Sequence, residues 1–303
     1  MRYRNHWKLW LVVATQLTVQ LLAGSFTVGT YNLEFYVDRP TPGISPKSEE
    51  GRRIICQGIR AVDADVLALQ EVGSASALSE LRDSLKREGL HYPYSELVRG
   101  WDKNLHVAFL SRHPIRAARH HTNESFLHRG RRFHVGRGFG EIEVEFEKRR
   151  IIFLTAHLKS KREIPEADQE QLRIEEATLL REKIDAHLKR NPNAHLVVLG
   201  DFNDGVGTRA YSTLVGRGRA KLFDTRPHER NGDSLSNPNP RYDPRRIIWT
   251  HFYAKEEIFS RIDYILLSPS LRDFYRPEQS FVLALKDWGA ASDHRPVCVH
   301  LEF

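Results

Sequence analysis

The chain has 303 residues, 40% hydrophobic and 28% charged, the balance of a globular protein rather than a disordered or membrane one, and its length fits one large domain better than two. Its net charge of +7, or +4 without the first 25 residues, suits an anionic substrate but does not identify one. Two cysteines, Cys56 and Cys298, with no CxxC spacing and no His/Cys cluster, exclude a zinc finger and a disulfide-rich scaffold.

Residues 1–25 read as an export signal. Met1 to Lys8 is short and basic, Leu9 to Ala23 is mostly apolar, and Ala23-Gly24-Ser25 offers small residues for cleavage. Thr15, Gln16, Thr18 and Gln20 break the apolar run, which falls short of the ~20 residues needed to span a bilayer. An exported location is expected, with the folded part at 26–303 and no integral membrane segment after cleavage.

Short segments rich in Val, Ile, Leu and Phe at 26–31, 66–69, 106–110, 141–146, 151–155, 196–199, 262–267 and 297–303 predict strands. The EIEVEF stretch at 141–146 alternates acidic and apolar residues, which predicts one wet face. Apolar residues at three- and four-residue steps predict helices over 49–62 and 168–188, the second with Asp168 as N-cap and Pro192 beyond its end. A third helix is expected at 76–87. Residues 36–48 and 226–246 are rich in Pro, Asn and Arg and read as long loops. Strands mixed with a few helices predict sheets covered by helices.

The chemistry lies where polar residues meet strand ends. Asn32 and Glu34 follow the first strand, Glu71 the second, His157 the strand at 151–155, and Asp201 and Asn203 the strand at 196–199. Strand ends gathered on one edge of a sheet are where catalytic groups collect. Any one of these alone reads equally well as a solvated turn residue.

Taken in order, YNLE, LALQEV, TAHLKSK, LGDFND, SRIDYIL and SDHRPV resemble the endonuclease/exonuclease/phosphatase superfamily, over residues 27–303. The resemblance implies the deoxyribonuclease I-like fold, a four-layer α/β/β/α sandwich with two packed mixed β-sheets. It also implies a phosphoesterase that uses Mg²⁺ or Mn²⁺. A hard cation of that kind takes one or two carboxylates and keeps several waters, so Glu71 is the leading ligand, with Glu34, Asn32 and Asp293 as further members of the set. His157 and His294 are placed to move protons, Asp263 to orient His294, and Asp201 and Asn203 to face the attacking water and the phosphate. Asn32 could instead bond a phosphate oxygen. Asp201 and His294 both stay open as the general base. The family position of the two cysteines allows either a Cys56–Cys298 bridge or two buried thiols.

Substrate preference rests on less. A His at 157 and the absence of a WCDR-type stretch at 260–264 point away from abasic-site endonucleases and phosphoinositide 5-phosphatases. Arg129, Arg131, Arg132, His134 and Arg137 fall close together with Phe126, Phe133 and Phe139 interleaved, and Lys159, Lys161 and Arg162 follow His157. Basic residues mixed with aromatics can grip a nucleic-acid backbone, and Trp288 could stack on a base or a lipid. No exposed aromatic hairpin is evident. A monomeric nuclease is therefore expected, with a phospholipid-headgroup phosphodiesterase of the sphingomyelinase kind as the alternative. A catalytically inactive binding module on the same fold is the third reading, disfavoured because every core position carries suitable chemistry.

Overall fold

The computed structural model describes residues 24–230 and 247–303. Residues 1–23 of the expected export signal and most of the second expected loop lie outside the described residues. The first half of the chain forms β1 (Ser25–Tyr36), α1 (Glu49–Val62), β2 (Val66–Val72), α2 (Ala75–Arg87), β3 (Tyr94–Val98), β4 (His106–Ser111), β5 (Ile115–Ala118), β6 (Ser125–His128), β7 (Arg131–His134) and β8 (Phe139–Phe146). The second half forms β9 (Arg149–His157), α3 (Gln169–Arg190), β10 (His195–Asp201), α4 (Arg209–Val215), β11 (Phe223–Asp224), β12 (His228–Glu229), β13 (His251–Tyr253), β14 (Ile258–Ser260), β15 (Asp263–Leu267), β16 (Phe281–Val282) and β17 (Val297–Glu302).

The strands assemble into two mixed sheets, ordered β12-β16-β17-β1-β2-β4-β3 and β11-β15-β10-β9-β8-β5. Each has the same centre: a parallel pair, β1 with β2 or β9 with β10, flanked by an antiparallel strand, β17 or β15. Three apolar cores separate four layers. Alternate residues of both sheets, among them Phe26, Val28, Ala68, Phe153, Val197 and Val299, fill the space between the sheets. α1 and α2 cover the outer face of the first sheet, and α3 and α4 cover that of the second. This is the deoxyribonuclease I-like sandwich.

The sequence explains the helices directly. Ile54, Ile55, Ile59 and Val62 form the buried stripe of α1, Ser48 caps its first turn through Gly51 N–H, and Asp63 ends it in the left-handed region. In α3 the expected cap holds: the Asp168 carboxylate accepts from Gln171 N–H. Arg173, Glu176 and Arg181 of that helix are also buried, and each has polar partners. Arg173 pairs with Asp204 at 3.0 Å, Glu176 accepts from Lys159 N–H, and Arg181 donates to three carbonyls, of Leu214, Val215 and Ala220.

Three expectations need correction. The first strand starts one residue before the expected 26: Ser25 opens β1 opposite Glu302, and Gly24 exchanges both backbone hydrogen bonds with Phe303. The second expected loop opens on a short strand, β12, and the β6–β7 and β13–β14 ribbons fall in stretches given no element, because two- to four-residue strands carry too little periodicity to register. And β8 has no wet face at Glu141, which is 2% exposed. There the carboxylate lies 2.8 Å from Arg119 Nε, 2.9 Å from His121 Nε2 and 3.2 Å from His187 Nε2 on α3. Burial alone would push its proton affinity up, but these partners hold it well below the usual carboxylate range.

Glu141→Gln should therefore cost about 2–3 kcal/mol of stability, the scale for losing hydrogen bonds to a buried charged group. A carboxylate whose folded pKa is depressed stabilises above its unfolded value and loses that contribution as pH falls through the folded one. The gap between wild type and variant in chemical denaturation should thus be full at neutral pH and narrow below about pH 4. A gap that is constant with pH would mean that the carboxylate charge contributes nothing.

Cys56 and Cys298 are free, buried thiols in the core beneath α1, and Cys298 Sγ sits 3.9 Å from the Val62 carbonyl. Among the described residues, no helix is long and apolar enough to cross a membrane.

Candidate active site

The shared sheet topology makes the site. β1, β2, β9 and β10 all run towards the same edge of the sandwich, so Asn32, Glu71, His157 and Asp201 arrive there together. Register fixes the details: Asp201 sits opposite His157 on one side and Asp263 on the other. β15, antiparallel to β10, begins at this edge, which is why Asp263 opens it. β17 is antiparallel as well, so the residues just before it, Asp293 and His294, complete the same edge.

Local backbone devices aim the side chains. β1 and β2 both lose register near their ends, and Glu34, Phe35 and Glu71 have φ of +46°, +60° and +63°. Left-handed backbone at non-glycine residues costs energy and concentrates at functional sites. Asn203 is held the same way at +53°. Gly200 is required for close approach, since its φ is +132° and a Cβ would meet the Ala156 carbonyl oxygen at 2.1 Å.

Asp201 is the hub. Its carboxylate accepts from the Asn32 side-chain amide at 3.0 Å and from Asn203 N–H at 2.8 Å, and it lies 3.4 Å from His157 Nε2 and 3.7 Å from His294 Nε2. The same Asn32 amide reaches Glu71 at 3.4 Å, and Glu71 also accepts from Phe35 N–H at 3.0 Å. His294 Nδ1 is 2.8 Å from Asp263, whose carboxylate is held in turn by Thr250 Oγ1 at 2.7 Å. With a carboxylate as acceptor, Nδ1 carries the proton and Nε2 is the atom turned towards Asp201 and Asp293. Asn203 donates its amide to the Leu158 carbonyl, tying the β9 and β10 ends together. Asp204 stands apart, committed to Arg173 of α3.

Burial and crowding shift these groups in opposite directions. Burial, with Asp263 nearby, raises Asp201 to about 7, against the pull of His294. Burial also lowers His157 well below an ordinary imidazole, helped by the charges of Arg137, His294 and Lys159. His294 goes the other way: burial opposes its charge, but Asp263, Asp201 and Asp293 raise it to about 10. The edge therefore holds a neutral imidazole, an imidazolium and a carboxylate with raised proton affinity within 4 Å of one another or of a shared partner.

Metal-ligating capacity is present. Glu34, Glu71, Asp201, Asp263 and Asp293 gather here, and burial with acid–acid repulsion raises Glu34 and Glu71, an energetic cost that a cation would relieve. Glu34 sits between Lys47 Nζ (3.4 Å) and Asp293 N–H (3.2 Å). The tightest donor groups are Asp201–Asp263–His294 and His251–Asp293–His294, each with donor atoms within 4.8 Å of one another. The first is tied together by its own hydrogen bonds through Asp263 Oδ2, although Asp263 Oδ1 has no partner among the described residues. The second joins two imidazoles to one carboxylate, a set suited to transition metals, whereas Glu71, Glu34 and Asp293 form the oxygen-rich side that suits Mg²⁺ or Mn²⁺.

Of the residues expected from sequence, Asn32, Glu34, Glu71, His157, Asp201, Asn203, Asp263, Asp293 and His294 come together. Of the basic and aromatic ones, Lys159 reaches the site by its charge on His157, whereas Arg131, Arg132, Lys161 and Trp288 do not join it. Arg131 and Arg132 lie exposed on the β6–β7 ribbon, Lys161 is exposed, and Lys159 is half-buried with its backbone bound to Glu176. Trp288 packs half-buried on Trp249 and Phe252, which gives it a packing role. Three residues went unassigned. His251 sits 3.5 Å from Asp293 and pairs by backbone with His294; Thr250 holds Asp263; Arg137 acts by its charge on both Glu71 and His157. Only Arg137 had a signal, its place in the basic cluster. The expected absence of an exposed aromatic hairpin is also overturned: the β13–β14 ribbon leaves Tyr253 42%, Ile258 48% and Phe259 55% exposed.

Comparison with known proteins settles the family. Residues 29–294 match the Endonuclease/Exonuclease/phosphatase family. The chain belongs to that family. Enzymes of this family hydrolyse phosphoester bonds and commonly use divalent metal ions. Among solved structures, truncated TDP2 from Caenorhabditis elegans is similar at 14% identity and TM-score 0.61, covering 92% of this chain and 98% of that one. Sphingomyelinase C from Streptomyces griseocarneus is similar at 18% identity and TM-score 0.59, with coverage of 92% and 99%. A family protein from Bacteroides thetaiotaomicron is similar at 19% identity and TM-score 0.58, with coverage of 93% and 98%. A search of curated sequences returns no significant match. At these identities the endonuclease/exonuclease/phosphatase neighbours share the fold alone.

Proposed function

We propose that this chain is an exported, divalent-metal-dependent phosphodiesterase that hydrolyses nucleic-acid phosphodiester bonds. The observation that carries the reading is the meeting of Glu71, His157, Asp201 and the Asp263–His294 pair at one sheet edge, with cationic side chains around it. Export rests on residues 1–25. Glu71, with Glu34, Asn32 and Asp293, would hold Mg²⁺ or Mn²⁺, which when bound neutralises phosphoryl charge and acidifies water. His157, kept neutral by burial, hydrogen-bonds a phosphoryl oxygen without adding a proton of its own. Asp201 takes the proton from the attacking water, and the His294 imidazolium, fixed by Asp263, steadies the charge that develops. Asn203 positions Asp201 through its backbone N–H.

Nucleic acid is favoured by Arg129, Arg131 and Arg132 on the exposed ribbon, together with Arg137 and Lys159 beside His157. If these contact phosphates, binding should weaken by roughly ten-fold or more between ~50 and ~200 mM salt. Changing Arg131 and Arg132 together to Ala should flatten that slope and weaken all sequences alike. A salt slope identical in wild type and variant would remove the ribbon from the interface.

The phospholipid reading has its own support in Tyr253, Ile258 and Phe259, exposed next to His251 at the site edge. A metal-supplemented screen on plasmid DNA, RNA and sphingomyelin separates the two. Turnover of sphingomyelin with no cleavage of DNA or RNA would replace the nuclease reading.

A further inference from the structure

The loop between β3 and β4 meets the segment after β7 next to the active site, and the contact is backbone on backbone. A Cβ at Gly100 would lie 2.3 Å from the Arg137 carbonyl carbon and 2.5 Å from Gly136 and Gly138 backbone atoms. Two residues on, Asp102 N–H donates to the Gly136 carbonyl at 2.6 Å, and the Asp102 carboxylate lies 3.7 Å from Arg137 Nε. Trp101 is fixed between these anchors. Its ring lies parallel to His134, with centroids 3.8 Å apart and planes 5° apart.

Yet Trp101 stays 61% exposed. The imidazole covers one indole face, and most of the rest faces water. An indole buries roughly 150–250 Å² when it packs fully, so leaving one outside on a rigid loop gives the fold little return. Its neighbours supply a reason. Arg137, itself part of the Gly100 contact, acts on Glu71 and His157, and its Nε has no hydrogen-bond partner among the described residues. On the other side, Arg132 shares the ribbon face of His134 and donates to Ser125 Oγ at 3.0 Å, while Arg131 lies over Phe133 on the opposite face. Outward from the catalytic edge the order is cation, flat aromatic stack, cation, which matches phosphate, base, phosphate.

We propose that the Trp101–His134 stack is a nucleobase platform: an unpaired base of the substrate stacks on the open indole face while Arg137 holds the phosphate between that base and the scissile bond. The inference rests on the nuclease reading and narrows it to a substrate class. In a duplex both faces of each base are covered by its neighbours, so the platform selects single strands or frayed ends.

Cleavage of a single-stranded oligonucleotide, the matching duplex and a small chromogenic phosphodiester, each in Mg²⁺, tests it with Trp101→Ala and Trp101→Phe. Stacking on one aromatic side chain is worth roughly ten-fold or more in affinity. KM for the single strand should rise by about that factor in Trp101→Ala relative to any change on the chromogenic diester, and Trp101→Phe should recover most of it. A second readout needs no turnover: in chelator, a single-stranded oligonucleotide should quench indole fluorescence in wild type and lose that quenching in Trp101→Ala. Equal effects on single strand and duplex, or unchanged KM and quenching in Trp101→Ala, would overturn the platform and leave the nuclease reading standing. Failure of the wild type to cleave or bind any nucleic acid would overturn that reading, and the platform with it.

Discussion

Glu71→Gln is expected to lower phosphodiester hydrolysis by at least ~100-fold, and excess chelator to do the same to the wild type, because the substitution removes a charged ligand rather than a supporting group. The argument is electrostatic. Glu71 lies near the end of β2 in left-handed backbone, among Glu34, Asp201 and Asp293, with Arg137, His294 and Lys47 to offset part of the charge. Burial and this crowding favour a proton on Glu71, and a bound cation reverses the preference. Glutamine keeps the shape and can still accept from Phe35 N–H, now 3.0 Å away. The metal-free variant should therefore be no less stable than the metal-free wild type. Mg²⁺ or Mn²⁺ should raise the melting temperature of the wild type, since a ligand bound only by the native state stabilises it, and should do so far less in Glu71→Gln. Full activity in chelator, or equal metal-induced stabilisation of both proteins, would sink the proposed role of Glu71.

How much of this could be read from residues alone depended on the length scale of each signal. α1 and α3 were legible because buried residues recur over three or more turns and their caps, Ser48 and Asp168, are side-chain oxygens at the right place. The strands of the two sheet centres were legible because both faces are buried, so they read as continuous apolar runs ending in a polar residue. The same property made Asn32, Glu71, His157 and Asp201 conspicuous. Glu141 misled because alternation normally means one solvated face, and nothing local reveals that Arg119, His121 and His187 arrive from elsewhere to cover it. His251 and Thr250 were invisible for a related reason. They precede β15 by about a dozen residues, and only the β13–β14 ribbon, too short for a periodic pattern, folds them back onto Asp263 and Asp293. Trp101 carried no pattern at all; its meaning comes from the loop contact at Gly100.

The second large effect is expected at the Asp263–His294 pair. His157→Ala, Asp201→Ala and His294→Ala should each lower kcat by at least ~100-fold, the usual scale for losing a proton-transfer or charge-stabilising group. Asp263→Asn should approach the His294→Ala loss, although Asp263 lies a side chain farther from the substrate edge. Its carboxylate both fixes the Nδ1 proton at 2.8 Å and supplies the largest favourable charge that keeps the buried imidazole protonated. Asparagine retains the Thr250 contact but offers no negative charge, so the imidazolium loses its main support while burial still opposes it. Because the two residues act as a unit, the double variant Asp263→Asn/His294→Ala should cost little more than the worse single one. By contrast, His157 has no bond to Asp263, and its Nδ1 finds no hydrogen-bond partner among the described residues, so combining His157→Ala with Asp263→Asn should give a loss nearer the product of the singles. Single-turnover rates of the purified variants, with melting temperatures taken alongside to exclude unfolding, decide the matter. Multiplicative losses at Asp263 and His294 would mean that His294 works without Asp263, and that the acid's role is confined to holding Thr250 and the start of β15.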